Sequence, residues 1–140
     1  MVNELLEQNK TLVADFIESV WNDERHEGFE RFWVDDCVNH TAPAASEGLE
    51  SLRRTHQPFF DAFSHLRVEM LDQVAEGDRV VSRIAMTGTH VGDFMGVSAT
   101  TRRVRMEGIR IDRVRDNRIV EHWAQFDQVG LLAQLRSSED

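Results

Sequence analysis

His122 and Asp127 lie in the apolar run RIVEHWAQFD, residues 118–127. A histidine, with an ordinary pKa near 6.5, can take and return a proton at neutral pH. In an extended strand Ile119, Glu121, Trp123, Gln125 and Asp127 face one way, and Val120, His122, Ala124 and Phe126 the other. His122 therefore belongs with apolar neighbours. It is either a core residue bonded to a backbone carbonyl or an acid–base group in a pocket wall. Asp127 falls where the strand meets a last helix, and its expected role is an N-cap accepting from residue 129 or 130, worth about 1 kcal/mol.

Other residues of the same chemical kind are scattered along the chain. Arg110 and Asp112 alternate with Ile109 and Ile111, so they share a face, while Glu107 has the opposite parity. Facing inward, the pair needs hydrogen bonds to offset its desolvation, and the arginine would suit an enolate or carboxylate; facing outward, it is an ordinary solvated row. Arg83 in VVSRIAM poses the same choice. His90 ends a long strand beside a glycine-rich loop, where it lines a pocket or anchors the loop. His56, Phe60 and Phe63 fall on one predicted helix, and Asn39-His40 lie in an early extended piece where an amide beside an imidazole could bind a carbonyl oxygen.

Three chemistries lack their residues. The six histidines are dispersed, with no compact set of three or four ligands for a metal. An oxyanion hole built on tyrosine is excluded, because the chain has none. No serine or cysteine nucleophile motif is present, and Cys37, the single cysteine, cannot form an internal disulfide.

The elements that must position these groups come in two blocks. Leu5, Leu6, Leu12, Val13, Phe16, Ile17 and Val20 recur at helical spacing, predicting an amphipathic helix over 3–21. A short helix over 26–33, an extended piece over 37–42 and a helix from an N-cap at Ser46 to about Phe63, kinked at Pro58, follow. From residue 65 the period becomes two. Segments 65–75, 79–91, 102–115 and 118–126 alternate and are separated by turn signals, and QVGLLAQL (128–135) closes the chain as a helix. The pattern predicts a single α+β domain over 1–140, a long antiparallel sheet curved around the N-terminal helices into a cone with an internal pocket.

Charge narrows the partners. Twenty-five acidic residues against sixteen basic ones give a net charge of −9, which argues against nucleic acid. TTRRVR (100–105) is the one basic run and reads as a solvated strand face. No apolar run reaches the roughly 18 residues of a membrane span. The acidic, amphipathic start does not read as a leader, so a cytoplasmic protein is expected.

Against this background, Gly88, His90, Gly92, Phe94, Gly96 and Thr100 form a Gly-x-His-x-Gly-x-Phe-x-Gly stretch within GTHVGDFMGVSATTRRV (88–104). RIVEHWAQFDQVGLLAQL (118–135) adds His122-Trp123, Asp127 and Gly130-Leu131-Leu132, and Asn39-His40, Arg54, His56, Phe60 and Ala62-Phe63 extend the match. Together these resemble the SnoaL-like polyketide cyclase and ester cyclase family, with its nuclear-transport-factor-like cone fold. The resemblance implies an intramolecular aldol-type ring closure on a polyketide ester, without metal or organic cofactor. It also implies an acid–base carboxylate two residues after the last-strand histidine, and that position is Ala124 here. The resulting expectation is cofactor-independent acid–base chemistry on a small hydrophobic ketone or ester. His122, His90 and Arg110 form its catalytic set, and Ala124, His56, Asn39, His40, Phe60 and Phe63 line the pocket. Absence of the carboxylate at 124 favours the alternative, a non-catalytic module that binds a small apolar molecule. A homodimer through the outer sheet face is expected because Trp123 lies there.

Overall fold

Long runs of alternating residues from 63 onward pair in sequence order, as their turns dictate. The computed structural model describes residues 2–41 and 46–137. Strands β3 (Phe63–Glu76), β4 (Arg79–His90), β5 (Arg103–Arg115) and β6 (Arg118–Phe126) form an antiparallel meander. The β5–β6 turn has two residues, Asp116 and Asn117, both at positive φ (50° and 59°), the two-residue hairpin conformation that matches strand twist.

The N-terminal half lies against this sheet. Helix α1 (Val2–Phe16) runs into a π-helical turn, Ile17–Asn22, and a single 3₁₀ turn, Gly28–Arg31, stands where the sequence predicts a helix over 26–33. Strand β1 (Trp33–Asn39) begins inside that predicted helix, because Trp33 pairs with Ile119. Strand β2 is the short Ser46–Glu47, so Gly48 rather than Ser46 precedes helix α2 (Leu49–Ala62), which continues through Pro58. Ala42, the end of the predicted extended piece, lies outside the described residues. Helix α3 (Gln128–Leu135) ends the fold, and Asp127 caps it by accepting from the Gly130 N–H at 2.9 Å.

The sheet order is β2-β1-β6-β5-β4-β3. Its β1–β6 pair is parallel, so the curved, unclosed sheet is mixed rather than purely antiparallel. Helices and sheet enclose one core, centred on Phe16, Phe29, Trp33, Leu52, Ile119 and Leu131. The α+β cone expected from the order of elements is present.

One departure from simple alternation matters for the site. Arg115 pairs with Arg118 and Val114 with Ile119, but the next pair is Arg113 with Glu121. Val120 is left without a partner, a bulge that inserts one residue into β6. Ile119 is consequently buried, not outward as strict alternation predicts, while His122 and Ala124 still face inward.

Candidate active site

Beyond the bulge, β5 and β6 are back in register, with Asp112 opposite His122 and Arg110 opposite Ala124. All four face the helices. Arg110 Nε and Nη2 donate to Asp112 Oδ2 and Oδ1 at 2.8 and 2.9 Å, a bidentate ion pair. His122 Nδ1 lies 2.9 Å from Asp112 Oδ1. The side chains are 3% (Arg110), 0% (Asp112) and 3% (His122) exposed, so this is a buried constellation rather than a solvated row. Arg83, by contrast, is outward, bonded to Asp72 and beside Glu107.

Electrostatics set the protonation states. Burial alone would raise the Asp112 carboxyl, but Arg110 and His122 hold it well below the usual carboxylate range. An ionised carboxylate has no proton to give, so the 2.9 Å contact is His122 Nδ1–H donating to Asp112. That fixes the tautomer and leaves Nε2 as the basic atom. Burial lowers the His122 pKa below 6.5, and Arg110 adds to this, partly opposed by Asp112. His122 is therefore a neutral base at neutral pH, with a carboxylate behind it.

The constellation forms part of a cavity wall. The cavity leaves about 40 Å³ for the centre of a water molecule, and about 530 Å³ when all space to its open mouth is included. Phe59, Phe126, Ile84, Met86 and Met106 make the apolar lining; Trp21, Thr41, Thr55, His56, Arg110 and His122 bring polar atoms. Phe126 reaches the cavity across Gly108, where a Cβ would strike its ring. His56 Nδ1 donates to the Leu52 carbonyl at 2.9 Å within α2. Burial, opposed by that bond, pulls its pKa to about 3, so it too stays neutral.

Several residues singled out in the sequence lie elsewhere. Ala124 is buried on the inner face but is not among the lining residues. His90 is fully buried away from the cavity. Its Nδ1 accepts from the Thr100 N–H at 3.1 Å, and its backbone bonds Arg102 and Thr101, so it anchors the 91–102 loop. Phe63 packs on His90 and Phe94, and Phe60 stacks on His26 at 3.7 Å, leaving Phe59 to line the cavity. His40 turns outward, 2.8 Å from Glu121 and stacked on Trp123, because residue 40 has the parity opposite to inward-facing Asn39. Asn39 supports the site from behind, donating to Thr55 Oγ1 at 3.0 Å and accepting from the Thr41 N–H at 3.0 Å. Sequence reasoning noted Asp112 beside Arg110 and passed over Trp21, Thr41 and Met106. A carboxylate at the i+2 position of an inward-facing arginine was the available signal for Asp112. Among the described residues, no three His, Cys, Asp or Glu side chains group as metal ligands.

Comparison with known proteins now bears on this cavity. The family model for the SnoaL-like polyketide cyclase matches residues 11–135. The chain belongs to that family. Two aklanonic acid methyl ester cyclases, from Streptomyces peucetius and Streptomyces sp. strain C5, are each 34% identical over 76 residues. Those matches cover 54% of this chain and 51% and 46% of the relatives, so the chain spans about half the length of the curated relatives it matches. Among solved structures, AclR of Streptomyces galilaeus, proposed to be a hydroxylase, superposes with a TM-score of 0.85 at 29% identity, over 96% of this chain and 85% of that one. A SnoaL-like polyketide cyclase of Agrobacterium tumefaciens, at 21% identity and TM-score 0.75 over 91% and 97% of the two chains, shares the fold. The family's cone is thus common to proteins described with different activities, and the side chains in the cavity must decide the chemistry.

Proposed function

We propose that the protein closes a ring in a hydrophobic keto ester by proton transfer, with His122 as acid and base and no cofactor. The observation that carries this is the buried Arg110–Asp112–His122 constellation on the cavity wall. His122 Nε2 takes a proton from the carbon next to a carbonyl, leaving an enolate. The enolate carbon attacks a second carbonyl of the same molecule, forming the ring C–C bond. The resulting alkoxide regains the proton from the His122 imidazolium. Asp112, held ionised, stabilises that imidazolium between the two transfers. Arg110, its charge partly balanced by Asp112, is the cation beside the developing enolate. In this chain the carboxylate stands behind the histidine, on β5, instead of two residues beyond it on β6.

Polyketide methyl esters, the aklanonic ester among them, are the substrates to try, with ring closure followed by chromatography. Loss of turnover in His122→Ala supports the reading, and unchanged turnover rejects it. Ala124 favours a second reading, in which the cavity only holds a small apolar ligand. A ligand that raises the melting temperature without being turned over selects that one.

A further inference from the structure

We propose that Trp21 and Thr41 form a hydrogen-bonding subsite for one neutral oxygen acceptor, a carbonyl, on an otherwise apolar ligand. The inference rests on the reading above only in taking this cavity as the ligand site.

Eight buried side-chain polar atoms among the described residues have no hydrogen-bond partner, and two of them, Trp21 Nε1 and Thr41 Oγ1, belong to residues that line the cavity. An indole N–H can only donate, and a buried donor without a partner is rare in a folded protein. Thr55, His56, Arg110 and His122 share this wall, but none of them takes the indole N–H.

Both groups are held from behind. Trp21 sits in the π-helical turn, where the Asp23 N–H reaches five residues back to the Glu18 carbonyl at 2.8 Å. Such widened turns occur often at functional sites. The next residue, Asn22, grips β3 at both ends of its amide: Nδ2 donates to the Val68 carbonyl at 2.9 Å, and Oδ1 accepts from the Val68 N–H at 2.7 Å. Thr41 follows the His40 N–H that donates to the His122 carbonyl at 2.8 Å, and its own N–H is taken by Asn39. The positions of both residues are therefore set by backbone anchors, leaving the indole N–H and the hydroxyl for a ligand.

The acceptor is neutral rather than anionic. Both donors are uncharged, His56 and His122 on the same wall are neutral, and the guanidinium of Arg110 is already engaged on two nitrogens by Asp112. A carbonyl oxygen fits, with its hydrocarbon frame against Phe59, Met86 and Met106.

The test is nuclear magnetic resonance on protein carrying 15N-labelled tryptophan, with the three indole resonances assigned by Trp→Phe variants. The probes are acetophenone and α-methylstyrene, which differ by exchange of C=O for C=CH₂. The expected result is a downfield shift of the Trp21 indole proton with acetophenone and none with α-methylstyrene. Trp21→Phe and Thr41→Val should each weaken acetophenone binding by roughly three- to tenfold, the worth of one neutral hydrogen bond, and leave α-methylstyrene unaffected. An indole proton that stays put at saturating acetophenone, moves equally with both probes, or shows no acetophenone binding at all overturns the subsite. Turnover by His122→Ala is read separately. Its loss alongside a silent Trp21 indole rejects the subsite and keeps the acid–base reading, whereas a responsive indole in a protein without turnover does the reverse.

Discussion

Replacing Asp112 by asparagine keeps its volume and removes its charge. The structure allows the consequence to be sized. Asp112 is fully buried and accepts two bonds from Arg110 and one from His122. The variant leaves a guanidinium that is 3% exposed without a counter-charge. Removing one partner of a buried ion pair costs about 3–5 kcal/mol, a large share of the roughly 5–15 kcal/mol that holds a domain together. Replacing both partners, as Arg110→Met with Asp112→Leu, removes the buried charge and leaves only the His122 Nδ1–H without its acceptor, a loss of about 1–3 kcal/mol. The double variant should therefore be more stable than Asp112→Asn alone. Urea unfolding with an unchanged slope measures both. Turnover should separate from stability: both variants lose about a hundredfold or more, because neither holds His122 in the right tautomer. Stability of Asp112→Asn within about 1 kcal/mol of the parent, or a double variant less stable than the single one, would refute this reasoning.

His122→Ala should lower turnover by about a hundredfold or more, whereas Asp127→Asn, which keeps a capping oxygen, should stay within a few fold; steady-state kinetics on the same ester decide it. Both His56 and His122 have pKa values lowered below 6.5 in the fold, so the unfolded chain binds their protons first. Stability is then full above pH 6.5 and falls as pH drops towards 3. The His56 part alone amounts to about 3 kcal/mol at pH 4.5. His56→Gln should flatten this acid limb in chemical unfolding measured across pH. A homodimer is expected through the outer sheet face, where Val74, Val81, Ile111 and Trp123 pair in one row across four strands and Val74 and Ile109 are exposed. Light scattering checks it, and a charge at Ile109 should shift the equilibrium to monomer.

Local pattern carried much of this architecture. The β3–β6 meander follows from alternating residues and short turns, and Asp127 behaves as its place before an apolar run requires. The parallel β1–β6 pair was not legible, because nothing near Trp33 signals a partner some 86 residues away. Alternation placed Arg110 and Asp112 on one face but could not choose between inside and out. That choice depends on which side the helices cover, and on His122 arriving opposite Asp112. His40 and Asn39 are adjacent in sequence yet serve opposite faces, so a motif read as a unit is divided by strand parity. Trp21 escaped notice as a polar group because its apolar ring ends the helix predicted over 3–21, and only its neighbours reveal that the N–H lacks a partner.

The unpaired Val120 decides which way the chemistry points. Arg115 with Arg118 and Val114 with Ile119 set a register that, continued straight, would put Ile111 opposite His122 and Asp112 opposite Glu121. The extra residue advances β6 by one, so His122 meets Asp112 and turns to the inner face. Pairing β6 straight instead, with Val120 opposite Arg113, would change no residue of the constellation. It would act like a frameshift in three dimensions, turning Glu121 and Trp123 into the cone and His122 out to water. The hairpin is therefore read in frames of two, with one inserted residue selecting the frame in which His122 joins Arg110 and Asp112 on the inner side.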